Sequence, residues 1–375
     1  MPPRKWSPEM KILHIETGLH LYGGAQQVLY LLGGLKAGGG VNILVCPAGS
    51  AIGAAAVSSA DVVEAPMGGE LDPRFLFSLV RVIRERRPDL VHVHSRRGAD
   101  LWGPIAARLT GTRALLTRRV DNPEPPWLAR IKYSPYERVV TISEGIRRVL
   151  LSEGLPPERV RCVRSAVDSR PFKGERDREW LRREFGVGPE ETAVAVIAQL
   201  IERKGHRSLI QAVPGILRKC PRARFLFFGK GPLRGELEQL CREAGLGEKV
   251  LFAGFRKDLP RVLPCLDLVV HPAFMEGLGV SLLQASAAGL PIVAGRAGGI
   301  PEVVRDGVNG YLVEPGDVSA LEESVVKVLL DPGLARRLGH AGQEIVGGEF
   351  SLEAMVEGNR RVYREILGLN EAGAP

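Results

Sequence analysis

The residues best suited to chemistry lie between His271 and Val304. Glu276 is followed by Gly277-Leu278-Gly279 and then by a Leu- and Ala-rich run from Val280 to Ala288. A carboxylate accepts hydrogen bonds from hydroxyls. Glycines ahead of a helix let backbone N–H groups approach an anion, and the helix start adds a partial positive charge. Gln284 falls inside the same helix and can both donate and accept. A second such start follows at Gly298-Gly299-Ile300-Pro301-Glu302. Amides for phosphate, with a carboxylate and a carboxamide for hydroxyls, describe a site for a sugar carried on a nucleoside diphosphate.

The elements around this stretch read as strand, loop and helix. Leu266 to Val270 is an apolar run of buried-strand type. Gly289 and Pro291 stop the helix that begins after Gly279, and Ile292 to Ala294 is the next strand. The same alternation begins at the N-terminus with a strand at Lys11–Ile15, Gly23-Gly24, and a helix through Leu35. It continues through strands at 41–46, 61–65, 90–94, 114–117 and 138–142, with helices between several of them. Repeated β-α-β with fully apolar strands predicts parallel, doubly wound sheets. Ligands in such sheets sit at the carboxyl ends of the strands. His94, Arg118, Arg119 and Ser143 fall at such ends. His92 and His94 point the same way from an extended strand, but no third metal ligand offers itself by spacing. The first strand lacks the G-x-G-x-x-G turn of a dinucleotide-binding dehydrogenase.

The second half carries further loops of the same kind. Val194 to Ala198 leads into Gln199-Leu200-Ile201-Glu202-Arg203-Lys204-Gly205. Phe225 to Phe228 ends in Gly229-Lys230-Gly231, and Val250 to Phe252 leads to Gly254-Phe255-Arg256. With the central stretch, these segments resemble the retaining glycosyltransferases of family 4 (glycosyl transferases group 1). The resemblance covers nearly the whole chain and is strongest over 195–317. It implies two Rossmann-like domains facing across a cleft, the GT-B architecture. It also implies transfer of a hexosyl group from a nucleotide sugar to a hydroxyl acceptor, with retention and without a metal or other cofactor.

Carried over residue by residue, Lys204 matches the lysine that binds the diphosphate. Glu276 matches the glutamate that holds donor-sugar hydroxyls, and Gly277, Leu278 and Gly279 offer amides to sugar and phosphate. Gln284 stands where the family's second glutamate holds the ribose. Gln199 stands where it has an arginine, and Arg203 offers a substitute charge. Gly23 and Gly24 lie in the loop beside the diphosphate, Gly229 in the nucleotide loop, and Phe255-Arg256 in the segment whose backbone reads the base. Many relatives place a histidine after the strand at 114–117, where this chain has Arg118-Arg119. Arginine is not a base at neutral pH, so Arg119 orients phosphate and acceptor, or Asp121 assists, or the leaving phosphate takes the proton; the last is favoured. Glu276, Lys204 and Arg119 are the expected catalytic residues, and His94, Arg118 and Arg119 the acceptor-side candidates. The departures at Gln199 and Gln284 keep an alternative open, a catalytically impaired sugar-nucleotide-binding relative. An epimerase or phosphorylase of the same fold is another.

Length and charge set the frame. A chain of 375 residues exceeds one typical core. The expected domains are 1–170 on the acceptor side and 171–351 on the donor side, joined by a linker at 168–175. An amphipathic helix over 352–368 packs back on the first, as in the resembling family. The formal charge is +8, and its excess lies in the first half, with 24 Lys and Arg against 16 Asp and Glu through Arg170 and 27 against 27 thereafter. Clusters at Arg84-Arg86-Arg87, Arg96-Arg97, Arg118-Arg119 and Arg147-Arg148 suit a face that meets anionic lipid or a phosphorylated acceptor. No recognition motif suits nucleic acid. Five scattered cysteines fit a reducing cytosol, and no run is long enough to span a bilayer. The reading is a cytoplasmic enzyme at the inner membrane face, with a lipid-linked glycan or lipopolysaccharide-type acceptor.

Overall fold

The computed structural model describes residues 10–96 and 98–369. The N-terminal tail 1–9 and Arg97 of the basic clusters lie outside the described residues. The chain divides into two compact units. One runs through Ala166 and resumes at Leu352; the other is Val167–Ser351.

The first unit holds seven parallel strands: β1 (Lys11–Ile15), β2 (Val41–Pro47), β3 (Asp61–Ala65), β4 (Leu90–Val93), β5 (Arg113–Arg118), β6 (Arg138–Thr141) and β7 (Val160–Cys162), in the order β3-β2-β1-β4-β5-β6-β7. The second holds six parallel strands: β8 (Thr192–Ile197), β9 (Ala223–Phe228), β10 (Val250–Phe252), β11 (Leu268–His271), β12 (Ile292–Gly295) and β13 (Gly310–Val313), in the order β10-β9-β8-β11-β12-β13. Both are doubly wound. Strand order reverses between β1 and β4 in one sheet and between β8 and β11 in the other. Connections there depart to opposite faces and leave a crevice at the carboxyl ends.

The strands are apolar because helices cover both faces. Leu13, Ile15, Val91, Val93 and Leu116 pack under Phe75, Leu79 and Ala106 on one side of the first sheet. In the second unit Val194, Val196, Phe225, Phe227 and Val270 pack under Leu209, Val213, Leu321 and Val325.

The C-terminal helix Leu352–Leu367 completes the first unit. Met355, Val356, Tyr363 and Ile366 join a core with Ile12, Leu31, Leu35 and Leu115. The contact is close because Gly34 lacks a side chain; a Cβ there would sit 2.3 Å from Val356 Cγ2. Arg360 donates to the Leu35 carbonyl at 3.3 Å, near the end of helix Gly23–Ala37, where cations are favoured. Glu365 bridges Arg138 and Arg161, at 2.9 and 2.6 Å. The chain leaves the unit at Ala166, whose N–H and carbonyl both bond the Gln27 carboxamide, at 2.8 and 2.7 Å.

Three sequence readings shift. The strand read at 266–270 is Leu268–His271, which places His271 at its end. The helix start at Pro301 is a single turn, Ile300–Val303, too short to build up the dipole expected of it. Arg118 closes β5 rather than opening the loop after it.

Candidate active site

At the switch point of the second sheet, the loops after β8 and β11 bring together residues 72 apart in sequence. Lys204 ends a 3₁₀ turn, Glu202–Lys204. Gly205 follows with φ of +70°, and a Cβ there would lie 1.8 Å from the Pro272 carbonyl oxygen. This close approach needs glycine, and it presses the Lys204 turn against the β11 loop. Lys204 Nζ lies 2.6 Å from Glu276 Oε2. His271 Nε2 lies 3.0 Å from the same oxygen, and the Gly277 amide donates to Oε1 at 3.2 Å. Burial favours the neutral Glu276 acid, but the His271 hydrogen bond and the Lys204 charge outweigh it and hold the carboxyl at about 2.

Gly277, Leu278 and Gly279 lead into helix Val280–Ala287, whose N-cap Gly279 has φ of +93° and no side-chain cap. Its first amides therefore face outward for an anion. Gly299 lies across from this loop. Its N–H donates to the Glu276 carbonyl at 2.9 Å, and a Cβ there would meet the Gly277 carbonyl oxygen at 2.2 Å. Gln284 sits half-buried within the same helix.

The remaining donor-side candidates spread over neighbouring loops. Gln199 is exposed after β8. Gly229 follows β9, and a Cβ on it would lie 1.9 Å from the Ala198 carbonyl oxygen. Arg203 accepts the Phe274 amide on its carbonyl at 2.8 Å. Phe255 presents its ring at 47% exposure. The Arg256 side chain is committed to Asp258 and Glu184 at 2.6–2.8 Å and lies over the Phe185 ring.

The first sheet's switch point borders a cavity of about 300 Å³ lined by Glu16, His94, Ser95, Asp100, Arg119 and Lys132, among others. Helix Gly23–Ala37 begins beside it with no side-chain cap and no acidic residue in its first turn. A Cβ on Gly24 would touch Arg119 Cδ at 3.5 Å, whereas Gly23 has nothing within 4 Å. Arg119 Nε is buried and lacks a hydrogen-bond partner among the described residues. Burial pushes the Arg119 guanidinium down to about 10, with Glu16 opposing the shift, so it stays charged at neutral pH.

Arg118 requires correction as an acceptor-side candidate. Its five N–H donors go to Glu153, Tyr133 and the carbonyls of Val120 and Asn122. A buried arginine with every donor spent is scaffold for the loop. Ser143 likewise caps helix Glu144–Ser152, accepting from the Ile146 amide.

His94 has company that spacing did not reveal. His14, 80 residues away, places Nδ1 2.9 Å from His94 Nε2, and it pairs in register with His92 across β1 and β4. The three rings bring nitrogens within 4.8 Å of one another. His92 has Tyr363 and Thr117 hydroxyls at 2.7 Å on its two nitrogens. Burial drives all three histidines down, His14 to about 3, which keeps them neutral. The third histidine became visible only with the strand order, whereas His271 meets Glu276 through the turn of the loop that directly follows β11.

The comparisons agree with this geometry. The model of Glycosyltransferase Family 4 matches residues 22–170, and that of Glycosyl transferases group 1 matches 177–345. The chain is 30% identical to the 2-deoxystreptamine glucosyltransferase of Streptomyces kanamyceticus, over 76% of this chain and 80% of that one. It is also 30% identical to the GDP-mannose-dependent alpha-(1-6)-phosphatidylinositol monomannoside mannosyltransferase of Mycolicibacterium smegmatis, over 72% and 75%. The structure of Anabaena HepE in complex with UDP and glucose superposes with a TM-score of 0.82 at 21% identity, covering 95% of this chain and all of that one. With both sheets and both family models accounted for, the chain belongs to the glycosyltransferases of family 4, group 1, and has their GT-B fold.

Proposed function

We propose that this glycosyltransferase moves a hexosyl group from a nucleoside-diphosphate sugar to a hydroxyl of a lipid-linked acceptor, with retention and without a metal. The observation that carries the reading is the meeting of Lys204 and Glu276 at the uncapped start of helix Val280–Ala287. Lys204 and the helix amides neutralise a diphosphate leaving group, the work a metal would otherwise do. Glu276 accepts from sugar hydroxyls, Gln284 bonds the ribose, and Phe255 offers a face to the base. Retention rests on the family alone.

On the acceptor side, Arg119 and the start of helix Gly23–Ala37 supply positive charge, and the leaving phosphate takes the acceptor proton. A lipid-linked acceptor is supported by the basic first half and by helix Pro126–Tyr133, which exposes Trp127 and Ile131 at 67% and 63% and whose Lys132 lines the cavity. No helix among the described residues is long and apolar enough to cross a membrane, so the contact is peripheral. The mycolicibacterial relative's name also specifies a phosphatidylinositol-based acceptor.

The test is a thermal-shift screen with UDP, GDP, ADP and their common sugars. A donor at a hundred times its Kd stabilises by about 2.7 kcal/mol. Stabilisation by one nucleotide series, lost in Lys204→Ala, is the expected result. Stabilisation without turnover would favour the catalytically impaired sugar-nucleotide-binding relative that Gln199 and Gln284 keep open, and no stabilisation by any series would count against the donor reading.

A further inference from the structure

The carboxylate at the centre of the donor site has two cationic or N–H partners on a single oxygen. Lys204 Nζ and His271 Nε2 both point at Glu276 Oε2, at 2.6 and 3.0 Å. The proposed function draws Lys204 away, because its ammonium belongs with the diphosphate. A carboxylate left alone in that loop would turn and lose its aim, since among the described residues Oε1 is held only by the adjoining Gly277 amide at 3.2 Å. His271 stays. It closes β11, it is 1% exposed, and its ring cannot follow a ligand.

We infer that His271 is the positioning residue of the donor site, holding Glu276 through Nε2–H so that the carboxylate keeps its orientation when Lys204 is exchanged onto the donor's phosphates. The inference rests on the donor reading above and names the residue that makes the exchange possible. Glu276 then has one lone-pair direction fixed by His271 and the remainder turned to sugar hydroxyls. Neighbouring groups are consistent with this assignment. His206, the first residue of helix His206–Lys219, is buried with neither ring nitrogen bonded among the described residues. Burial and the nearby His271 and Lys204 charges push it down to about 4. It is therefore neutral and does not compete for the carboxylate. Lys204 and Glu276 are the charged groups facing His271 at this site.

Two measurements test the inference. The first needs no donor: nitrogen NMR of the His271 ring in the wild type and in Glu276→Gln. In the wild type Nε2 should carry the proton and donate to the carboxylate 3.0 Å away, and its resonance should move when the carboxylate is replaced. An Nε2 resonance unchanged by Glu276→Gln would overturn the assignment. The second compares affinities for UDP and UDP-glucose, and for GDP and GDP-mannose, in wild type, His271→Ala and His271→Gln. His271→Ala should keep its affinity for the bare nucleotide, since Lys204 is intact. It should lose about 10–100-fold in affinity for the sugar nucleotide, the size of a hydrogen bond to a charged group. His271→Gln, which carries an N–H at similar reach, should restore most of it. Equal losses for nucleotide and sugar nucleotide, or no rescue by glutamine, would make His271 a packing residue and sink the inference. A wild type that binds neither pair defeats the donor reading, while the Nε2 resonance still decides whether His271 holds Glu276.

Discussion

The two switch points solve the burial of charge in opposite ways. In the second unit Lys204 and Glu276 neutralise each other, and His271 and the Gly277 amide complete the carboxylate's shell. In the first unit the cavity keeps polar atoms without a partner among the described residues, Arg119 Nε and His94 Nδ1. A paired site costs little to maintain but must exchange partners to bind. A site with unspent donors costs stability and recovers it from a ligand. On the proposed function, the second unit's site suits exchange and the first unit's suits capture.

Breaking the pair should give the largest effect. On the proposed function Lys204→Ala removes the diphosphate's cation and leaves Glu276 to His271 and the Gly277 amide, and kcat/KM should fall by about 100-fold or more, by analogy with loss of one preorganised donor. Arg119→Ala should reduce kcat/KM for the acceptor by about 10–100-fold while leaving the donor's thermal shift in place. If Arg119→Ala abolished donor binding instead, the division of labour between the units would be wrong.

Stability sharpens the same contrast. Gly34→Leu puts a side chain where Val356 already sits, and overpacking of this kind costs about 1–3 kcal/mol or more. The loss should appear as reduced hydrogen-exchange protection in the first unit, with the second unit unchanged.

Acid should separate the units next. His14, His92 and His94 have folded proton affinities depressed by burial, so the unfolded chain binds protons first as pH falls below 6.5. Stability of the first unit is therefore full above pH 6.5 and declines below it, by up to about 1.4 kcal/mol per pH unit for each histidine. The second unit has His206 of this kind. Its Glu276 acts oppositely, contributing above the unfolded value of 4.5 and losing that contribution as pH falls towards 2. Between pH 6.5 and 4.5 protection should fade faster in the first unit. Equal fading would show that the histidine cluster is hydrated.

The smallest effect concerns the surface. Reversing Arg84, Arg86 and Arg87 should weaken binding to anionic vesicles by about 1 kcal/mol per charge that meets the lipid. Arg86 is already paired with Asp61 at 3.2 Å, so its share should be lowest. Unchanged vesicle binding would move the contact elsewhere, with Trp127 and Ile131 the next residues to replace.

Much of this was legible in sequence because buried parallel strands are apolar throughout and glycine loops punctuate them. β2 and β4 follow directly from such runs, whereas the edge strand β3 carries exposed Asp61 and Glu64. Helices Ala51–Ala56 and Pro126–Tyr133 were not visible; one is nearly all alanine and lacks a polar face, and the other begins within a run of prolines. β7 has three residues, too few for a period. Individual donor-site residues could be named from their motifs, but their pairing could not. Lys204 meets Glu276 only because β8 lies beside β11, and His14 meets His94 only because β1 lies beside β4. Arg118 misled because its charge was visible and its partner Glu153, a whole helix away, was not.

The return of helix Leu352–Leu367 to the first unit also orders events during synthesis. The second unit is one uninterrupted segment and can fold while the ribosome is still translating. The first unit, though made earlier, waits for the last helix to emerge before Ile12, Leu31 and Leu115 are covered. A chain cut before Leu352 would thus spare the second unit and leave the apolar face of the first uncovered for chaperones and proteases.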